Sequence, residues 1–245
     1  MIHTIMFDMG GTLEDIWYNE ETVAQAARRV REMLAAASCD VSTDEAAFRE
    51  TLMQGIASYK AFSEGEAREL KPEEIWPRYY LRDFGLPDDR IIPMAEDLAG
   101  MWEVTYFHRE LRPGVRETLR SLRRRGCRLG VISNTASLYS VFDVLVSYGI
   151  RDYFSNITLS SVTGYRKPHR EIFRIALREM DADAAECVYV GDTISRDIIG
   201  AKQAGFGKAI QICSFLSKEK DAGVDPVWQP DEVIQGISDL QKLFP

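Results

Sequence analysis

Four groups of polar residues stand at or just beyond the ends of short apolar runs, and those runs predict buried strands. The groups are Asp8, Ser133 with Asn134, Lys167, and Asp192. In an open parallel sheet, ligands bind beyond the carboxyl ends of the strands, which lie at one edge. We therefore expect a single sheet to bring these side chains together.

These residue types are suited to phosphoryl transfer. The Asp8 carboxylate could attack phosphorus and form an aspartyl-phosphate. A phosphate dianion repels that carboxylate, so a divalent cation is needed, and Asp8 with Asp192 offers the hard oxygen ligands that Mg²⁺ prefers. Lys167 could balance charge, and the Ser133 hydroxyl could donate a hydrogen bond to a phosphate oxygen.

Two glycines, Gly10 and Gly11, follow Asp8 and would let the backbone approach a phosphate closely. Each residue also has an ordinary structural interpretation when taken alone. Asp8 could end a turn, Ser133 could begin a helix, and Asp197 could be a structural hydrogen-bonding acid. The joint occurrence of these residues at strand ends is what favours a functional site.

The elements that must position these residues alternate between helix and strand after Pro113-Gly114. Strands separated by helical segments imply parallel pairing, and nearly continuous apolar runs are typical of strands covered on both faces. From about residue 19 to 105 the pattern is helical. The sequence thus predicts an α/β fold, with a doubly wound, Rossmann-like parallel sheet interrupted after its first strand by a helical insertion.

The individual predictions are as follows. Predicted strands cover Ile2–Phe7, Arg128–Ile132, Ile157–Leu159, Cys187–Val190 and Lys208–Ile212. Helices predicted outside the insertion cover Val115–Arg125, Leu138–Tyr148, Arg170–Glu179 and Ile198–Ala204. Those predicted within it cover Glu20–Ala37 and begin at Thr43, at Pro72 and after Pro87.

Composition excludes several classes of protein. The 245 residues are 45% hydrophobic and 28% charged, as in a globular protein, and no apolar stretch is long enough to span a membrane. A net charge of −8 argues against a nucleic-acid binder. The N-terminus does not resemble a secretory signal, and the four cysteines form no C-x-x-C pair, so we expect a cytoplasmic protein. The sequence does not indicate an oligomeric state.

Four motifs in the chain resemble those of the haloacid dehalogenase superfamily, whose members are mostly phosphatases. The matching segments are Phe7–Leu13 (D-x-D-G-T-L), Val131–Asn134, Lys167-Pro168 with Ile172-Phe173 (K-P-x-x-x-I-F), and Gly191–Thr193 with Asp197 and Ala201–Gly205 (G-D-x-x-x-x-D, then A-x-x-A-G). Together they cover essentially the whole chain. The resemblance implies an α/β core at residues 1–16 and 107–245, with a substrate-selecting cap at residues 17–106.

The resemblance also implies a role for each motif residue. Asp8 would be the nucleophile, and Lys167 would neutralise charge. The metal, Mg²⁺, would be held by Asp8, Asp192 and the backbone carbonyl of Gly10, with Asp197 as a supporting acid. The residues implied to contact a small phosphorylated metabolite are Gly11, Thr12, Ser133, Asn134 and Lys167.

Gly10 departs from the family pattern, because phosphatases of the superfamily carry there a second Asp that protonates the leaving alkoxide. Losing a general acid typically costs about 10²–10⁴-fold in rate. The chain is therefore expected to be slow on alkyl phosphates and less impaired on acyl or aryl phosphates. Glu14 and Asp15 are candidate substitutes for the acid, although both are expected beyond the turn.

Three alternatives remain open at this point. The chain could be a phosphate-binding or regulatory protein with little turnover. It could be similar to phosphonoacetaldehyde hydrolases, which use a cap lysine, for which Lys60 and Lys71 are the candidates. It could also resemble haloacid dehalogenases, which need no metal, but these have an aromatic residue in place of Gly10 and lack the acid at Asp192.

Overall fold

A six-stranded parallel sheet forms the centre of the molecule in the computed structural model, which describes residues 3–215 and 217–244. The strand order is β5-β4-β1-β6-β7-β8. The strands are β1 Thr4–Phe7, β2 Glu14–Trp17, β3 His108–Leu111, β4 Arg128–Ser133, β5 Asn156–Leu159, β6 Cys187–Gly191, β7 Lys208–Ile212 and β8 Glu232–Ile234. The predicted α/β class and doubly wound arrangement are confirmed.

Helices cover both faces of this sheet and form the insertion. They are α1 Glu20–Ala36, α2 Glu45–Gly65, α3 Pro72–Ile75, α4 Asp88–Ile91, α5 Ala95–Tyr106, α6 Val115–Arg124, α7 Ser140–Ser147, α8 Ser160–Thr163, α9 Arg170–Glu179, α10 Ile199–Ala204, α11 Ser217–Lys220 and α12 Leu240–Leu243. Two π-helical turns lie at Trp76–Tyr80 and Ile194–Ile198. Within the described ranges, none of the helices combines the length and apolar character that crossing a bilayer requires.

The central strand β1 is buried on both faces, which explains its uninterrupted apolar sequence. Ile5 and Phe7 belong to the hydrophobic cluster on one face, and Met6 belongs to the cluster on the other. Phe7 pairs with Val131 of β4 and with Val190 of β6. This register places the residues that follow all three strands at one edge of the sheet.

The helical insert (residues 17–106) has a hydrophobic cluster of its own, whose buried members run from Ala26 to Trp102. Apolar residues at a 3.6-residue period on α1, including Ala27, Val30 and Leu34, face this cluster. Asp44 caps the N-terminus of α2 by accepting a hydrogen bond from the backbone N–H of Ala47 at 2.9 Å. The helix therefore begins at Glu45, two residues after the predicted start at Thr43.

A two-stranded antiparallel ribbon, β2 with β3, joins the insert to the sheet. The sequence did not predict this ribbon or the short edge strand β8. The predicted helix at Ile198–Ala204 is preceded by a π-helical turn, and the predicted start of the first strand at Ile2 lies outside the described residues. Cys213 follows β7 and is exposed.

Gly55 provides a test of packing inside the insert. A Cβ at this position would lie 2.4 Å from the backbone carbonyl oxygen of Tyr79. We expect Gly55→Ala to lower the free energy of unfolding by about 1–3 kcal/mol through overpacking. The control is Gly65→Ala on the same helix, where nothing lies within 4 Å, and it should stay within about 0.5 kcal/mol of wild type. Urea denaturation of the two variants compares them directly, and equal midpoints would contradict the close approach.

Candidate active site

The Nζ of Lys167 lies between two carboxylates, 2.6 Å from Asp8 Oδ1 and 2.7 Å from Asp197 Oδ1. All three side chains are buried, and Nζ also donates a hydrogen bond to the hydroxyl of Tyr189 at 3.0 Å. Burial alone would lower the pKa of Lys167, but the two carboxylates outweigh it and raise that pKa. The amine is therefore held as a cation beside Asp8.

Asp197 uses both carboxylate oxygens within the protein. Oδ1 accepts from Lys167 and from Tyr189, and Oδ2 accepts from the backbone N–H of Thr193 at 3.0 Å and from its hydroxyl at 2.8 Å. Burial would raise the pKa of Asp197, but Lys167 and these hydrogen bonds lower it overall. The side chain is an ionised support for Lys167, in the place predicted for a supporting acid.

Asp192 follows β6 and faces the same cluster, and it has no ion pair among the described contacts. Its Oδ2 accepts a hydrogen bond from the Ser214 hydroxyl at 2.5 Å. Burial and the charges of Asp197 and Asp8 raise the pKa of Asp192 to about 7, although the Ser214 hydrogen bond and the charge of Lys220 act in the opposite direction. The carboxyl of Asp192 therefore takes up a proton at a higher pH than an ordinary aspartate does.

A divalent cation fits these groups. One carboxylate oxygen from each of Asp8, Asp192 and Asp197 lies within 4.8 Å of the others. Among the described contacts, the Lys167 ammonium binds Asp8 and Asp197, whereas Asp192 has no ion pair. Lys220 lines the same cavity, and its positive charge offsets only part of the repulsion among the three carboxylates. Because Asp197 is fully engaged with its partners, Asp8 and Asp192 are the carboxylates that can bind such an ion.

The glycine at position 11 makes the approach of Asp192 possible. Gly11 has a φ of +84°, and a Cβ there would lie 2.3 Å from Asp192 Oδ2. No other residue fits this position without displacing the carboxylate. Gly11 and Thr12 are not among the described residues that line the cavity at the site, so their predicted contact with phosphate stays a prediction.

Ser133 ends β4, is 5% exposed and lines the cavity, as expected for a residue that donates to phosphate. Asn134 also lines the cavity, but its amide is used differently. Its Nδ2 donates to the carbonyl of Lys167 at 3.1 Å, and its Oδ1 accepts from the N–H of Lys167 at 2.8 Å. The side chain therefore positions the Lys167 backbone, which the sequence did not predict.

The space beside Gly10 is occupied by another residue. A Cβ on Gly10 would lie 2.8 Å from Ile16 Cδ1 and 3.8 Å from Glu14 Oε1. A cavity of about 290 Å³ opens here and extends from Asp8 into the helical insert. An isoleucine methyl group therefore stands where an acidic side chain at position 10 would begin.

Glu14 lies past the turn, as expected, but the ribbon returns its carboxylate to the cavity. Its Oε1 is 2.5 Å from Arg109 Nη1, and its Oε2 accepts a hydrogen bond from the Tyr148 hydroxyl at 2.9 Å. Arg109 also binds Glu103 at 2.8 Å. These contacts explain a fully buried carboxylate, and they join the ribbon to both the insert and the sheet. Asp15, the other candidate acid, is exposed and pairs with Arg112 at 2.8 Å.

Two carboxylates of the insert bind directly to the loops of the sheet. Glu69 pairs with Arg166, the neighbour of Lys167, and accepts from the Ser160 hydroxyl at 2.8 Å. Glu96 Oε1 accepts from the Ser137 hydroxyl at 2.6 Å, and its carboxylate also accepts from backbone N–H groups that follow Ser137. The insert is therefore held against the edge of the sheet where Asp8 lies.

The two candidate lysines of the insert differ in position. Lys60 is exposed but lines the cavity, whereas Lys71 precedes α3 and does not line it in the described part of the chain. Sequence reasoning missed Arg109 and Tyr189, and it named Glu14 as a candidate acid without finding its partners. The one feature of the sequence that could have indicated such residues is a polar or charged side chain within a predicted strand. Tyr189, within the apolar run of β6, is an example.

Comparison with known proteins places this geometry in a family. A family model described as haloacid dehalogenase-like hydrolase matches residues 2–205. A glyceraldehyde 3-phosphate phosphatase of Methanocaldococcus jannaschii is 29% identical over 247 residues, covering 98% of this chain and 96% of that protein. One from Methanothermobacter thermautotrophicus is 34% identical over 132 residues, or 54% of this chain and 58% of that relative's length.

Among solved structures, a 2-haloacid dehalogenase from Pseudomonas syringae superposes with a TM-score of 0.69 and 25% identity, covering 99% of this chain and 98% of that one. The family model matches most of the sequence, and Asp8, Ser133, Lys167 and Asp192 meet at one edge of the sheet. The chain therefore belongs to the haloacid dehalogenase-like hydrolase family.

Proposed function

We propose that this protein is a Mg²⁺-dependent phosphatase that hydrolyses a small phosphorylated molecule through an aspartyl-phosphate on Asp8. The observation that carries the proposal is the contact of 2.6 Å between Lys167 Nζ and Asp8 Oδ1, at the base of the cavity. The naming of two relatives as glyceraldehyde 3-phosphate phosphatases supports a small phosphorylated substrate.

The geometry selects the attacking atom. Asp8 Oδ1 accepts hydrogen bonds from Lys167 and from the backbone N–H of Met9 at 2.7 Å. Among the described contacts both fall on Oδ1, so Oδ2 is the oxygen available to attack phosphorus. Lys167 orients the carboxylate and offsets charge as the phosphoryl group arrives, and Ser133 donates to a phosphate oxygen.

Asp8, Asp192 and the backbone carbonyl of Gly10 would hold the Mg²⁺ ion. When bound, it supplies the positive charge that lets a phosphate dianion approach a carboxylate. The helical insert, residues 17–106, acts as the cap that closes the cavity, with residues 3–16 and 107–244 as the core. Water exclusion by the cap would strengthen the electrostatic contacts at Asp8.

Two alternatives differ from this proposal in ways that can be tested. A dehalogenase would cleave a carbon–halogen bond without metal, but the buried Asp192 carboxylate argues for a cation. A regulatory phosphate-binding protein would bind phosphate without turnover, and Gly10 with Ile16 is the observation that favours it.

The first prediction concerns the nucleophile. Wild-type protein with Mg²⁺ should hydrolyse acetyl phosphate and p-nitrophenyl phosphate, and Asp8→Asn should reduce kcat by at least about 10³-fold, because an amide does not form the acyl phosphate. Phosphate release is the measurement. The matched control is Asp15→Asn, which changes an exposed carboxylate on the ribbon and should keep wild-type rates.

Equal rates for wild type and Asp8→Asn on both substrates would refute the phosphatase and leave the regulatory alternative. Release of chloride from 2-chloropropionate without Mg²⁺ would instead identify a dehalogenase.

The second prediction concerns the metal. Mg²⁺ should raise the Tm of the wild-type protein, since a ligand at 100 times its Kd stabilises the folded state by about 2.7 kcal/mol. Asp192→Asn should lose most of this shift. Without metal its Tm should equal or exceed that of wild type, because the amide removes one of the mutually repelling charges. Differential scanning fluorimetry tests both expectations, and an undiminished Mg²⁺ shift in Asp192→Asn would count against this site.

The third prediction concerns position 10. Gly10→Asp alone brings a side chain against Ile16 Cδ1, so we expect little gain from it. The double variant Gly10→Asp/Ile16→Val removes that methyl group and should raise kcat on ethyl phosphate, by up to about 10²–10⁴-fold. The single variant Ile16→Val is the control for the effect of removing the methyl group alone. If the double variant folds and binds Mg²⁺ without any gain, the account of the missing acid is wrong.

A further inference from the structure

One wall of the cavity above Asp8 is aromatic. It consists of six side chains from the π-helical turn, from α5 and from the residues that flank the ribbon, namely Tyr18, Trp76, Tyr80, Trp102, Tyr106 and Phe107. We call these six residues the aromatic wall. They are not a scattered set, because each ring touches at least one other member.

The rings form a continuous series of contacts. Tyr106 lies between Tyr18, at a centroid distance of 5.0 Å, and Trp102, also at 5.0 Å. Trp102 then meets Tyr80 at 6.5 Å and the edge-on ring of Trp76 at 6.4 Å. The wall thus runs from the half-exposed ring of Tyr18 to the buried core of the insert. A flat apolar group could pack against the parts of these rings that face the cavity.

The wall begins next to the reacting atoms. Glu14, Ile16 and Tyr18 alternate along the ribbon and its extension, and all three line the cavity together with Asp8 and Gly10. Ile16 Cδ1 occupies the start of the path that a side chain at Gly10 would take. On this side a leaving group would meet the Ile16 methyl group and the Tyr18 ring, beside a Glu14 carboxylate that is already paired with Arg109.

Arg109, the charged residue that contacts a ring of the wall, already has partners. Arg109 binds Glu14 and Glu103, and its guanidinium lies 5.7 Å from the ring of Phe107. A substrate with several hydroxyl groups would have to compete with these ion pairs for hydrogen bonds. An apolar ring needs no such partners.

We propose, building on the phosphatase proposed above, that the substrate is an aryl phosphate whose ring packs on the aromatic wall. Asp8 Oδ2 forms a bond to phosphorus while the bond from phosphorus to the aryl oxygen breaks, and the electron pair leaves on a phenolate. Water then hydrolyses the aspartyl-phosphate to phosphate, and the phenolate takes up the proton that this step releases. No acid at position 10 is required, because a phenol has a pKa of about 10. An alkoxide leaving group does require such an acid, because its conjugate acid has a pKa of about 16, similar to that of water.

A binding experiment tests the wall without turnover. The probes are phenylphosphonate and methylphosphonate, neither of which is hydrolysed, added to wild-type protein with Mg²⁺ while tryptophan fluorescence is followed. Two of the four tryptophans, Trp76 and Trp102, lie in the wall, so a ring bound there should change the emission. Phenylphosphonate should bind about 10- to 100-fold more tightly, from the apolar area of its ring. Equal affinities would overturn the inference.

A substrate series separates this inference from the phosphatase itself. Benzyl phosphate carries the same ring as phenyl phosphate but leaves as an alkoxide, so KM should be similar and kcat about 10²–10⁴-fold lower. Ethyl phosphate should have both a high KM and a low kcat. Acetyl phosphate needs neither an aromatic ring nor an acid for its hydrolysis. If it is hydrolysed while phenyl phosphate and ethyl phosphate behave alike, the inference of an aromatic substrate is wrong and the proposed phosphatase activity stands. If acetyl phosphate is not hydrolysed, the phosphatase fails.

Variants of the wall complete the test. Tyr106→Ala should raise KM for phenyl phosphate about 3- to 10-fold, with a smaller change for acetyl phosphate. Tyr18→Ala, at a side chain that is 39% exposed, should act in the same direction and does not depend on the core of the insert. The control is Tyr139→Ala, which removes a ring that is 62% exposed and outside the wall. Equal effects on both substrates would contradict a role in holding the ring.

Discussion

The Lys167 ammonium group is buried between the carboxylates of Asp8 and Asp197, and the rest of the site depends on this contact. A buried cation without partners would be far too costly, and the same is true of each carboxylate. The partners come from segments that follow three different strands or their loops. The sheet must therefore be assembled before any of these charges can be accommodated, which couples the chemistry of the site to the fold.

The parallel topology meets this requirement through ordinary hydrophobic burial. Because β1 lies between β4 and β6 with apolar residues on both faces, its end is fixed within the sheet. The polar residues of the site lie at the edge of the sheet where the apolar runs of these strands end. Asp192 faces Asp8 and Asp197 at this edge and has no ion pair among the described contacts, although Lys220 lines the same cavity. A rigid, apolar scaffold thus holds three carboxylates close together against their mutual repulsion.

The sequence predicted those features of the site that depend on local patterns of apolar and polar residues. Asp8 and Asp192 follow strands whose apolar runs are unmistakable, and the register of a parallel sheet brings them together. Glu14 could not be predicted, because its burial depends on Arg109, 95 residues away, in a ribbon of two short charged strands. Asn134 resembled a phosphate ligand, yet its amide binds the backbone of Lys167 across 33 residues. Contacts between distant charged or polar groups carry no periodicity that a sequence would reveal.

The pairing of Glu69 with Arg166 ties the insert to the residue next to Lys167. Movement of the insert away from the sheet would break the contacts of Glu69 with Arg166 and of Glu96 with Ser137. Because Arg166 directly precedes Lys167, the position of the insert is coupled through one peptide bond to the ion pair between Lys167 and Asp8.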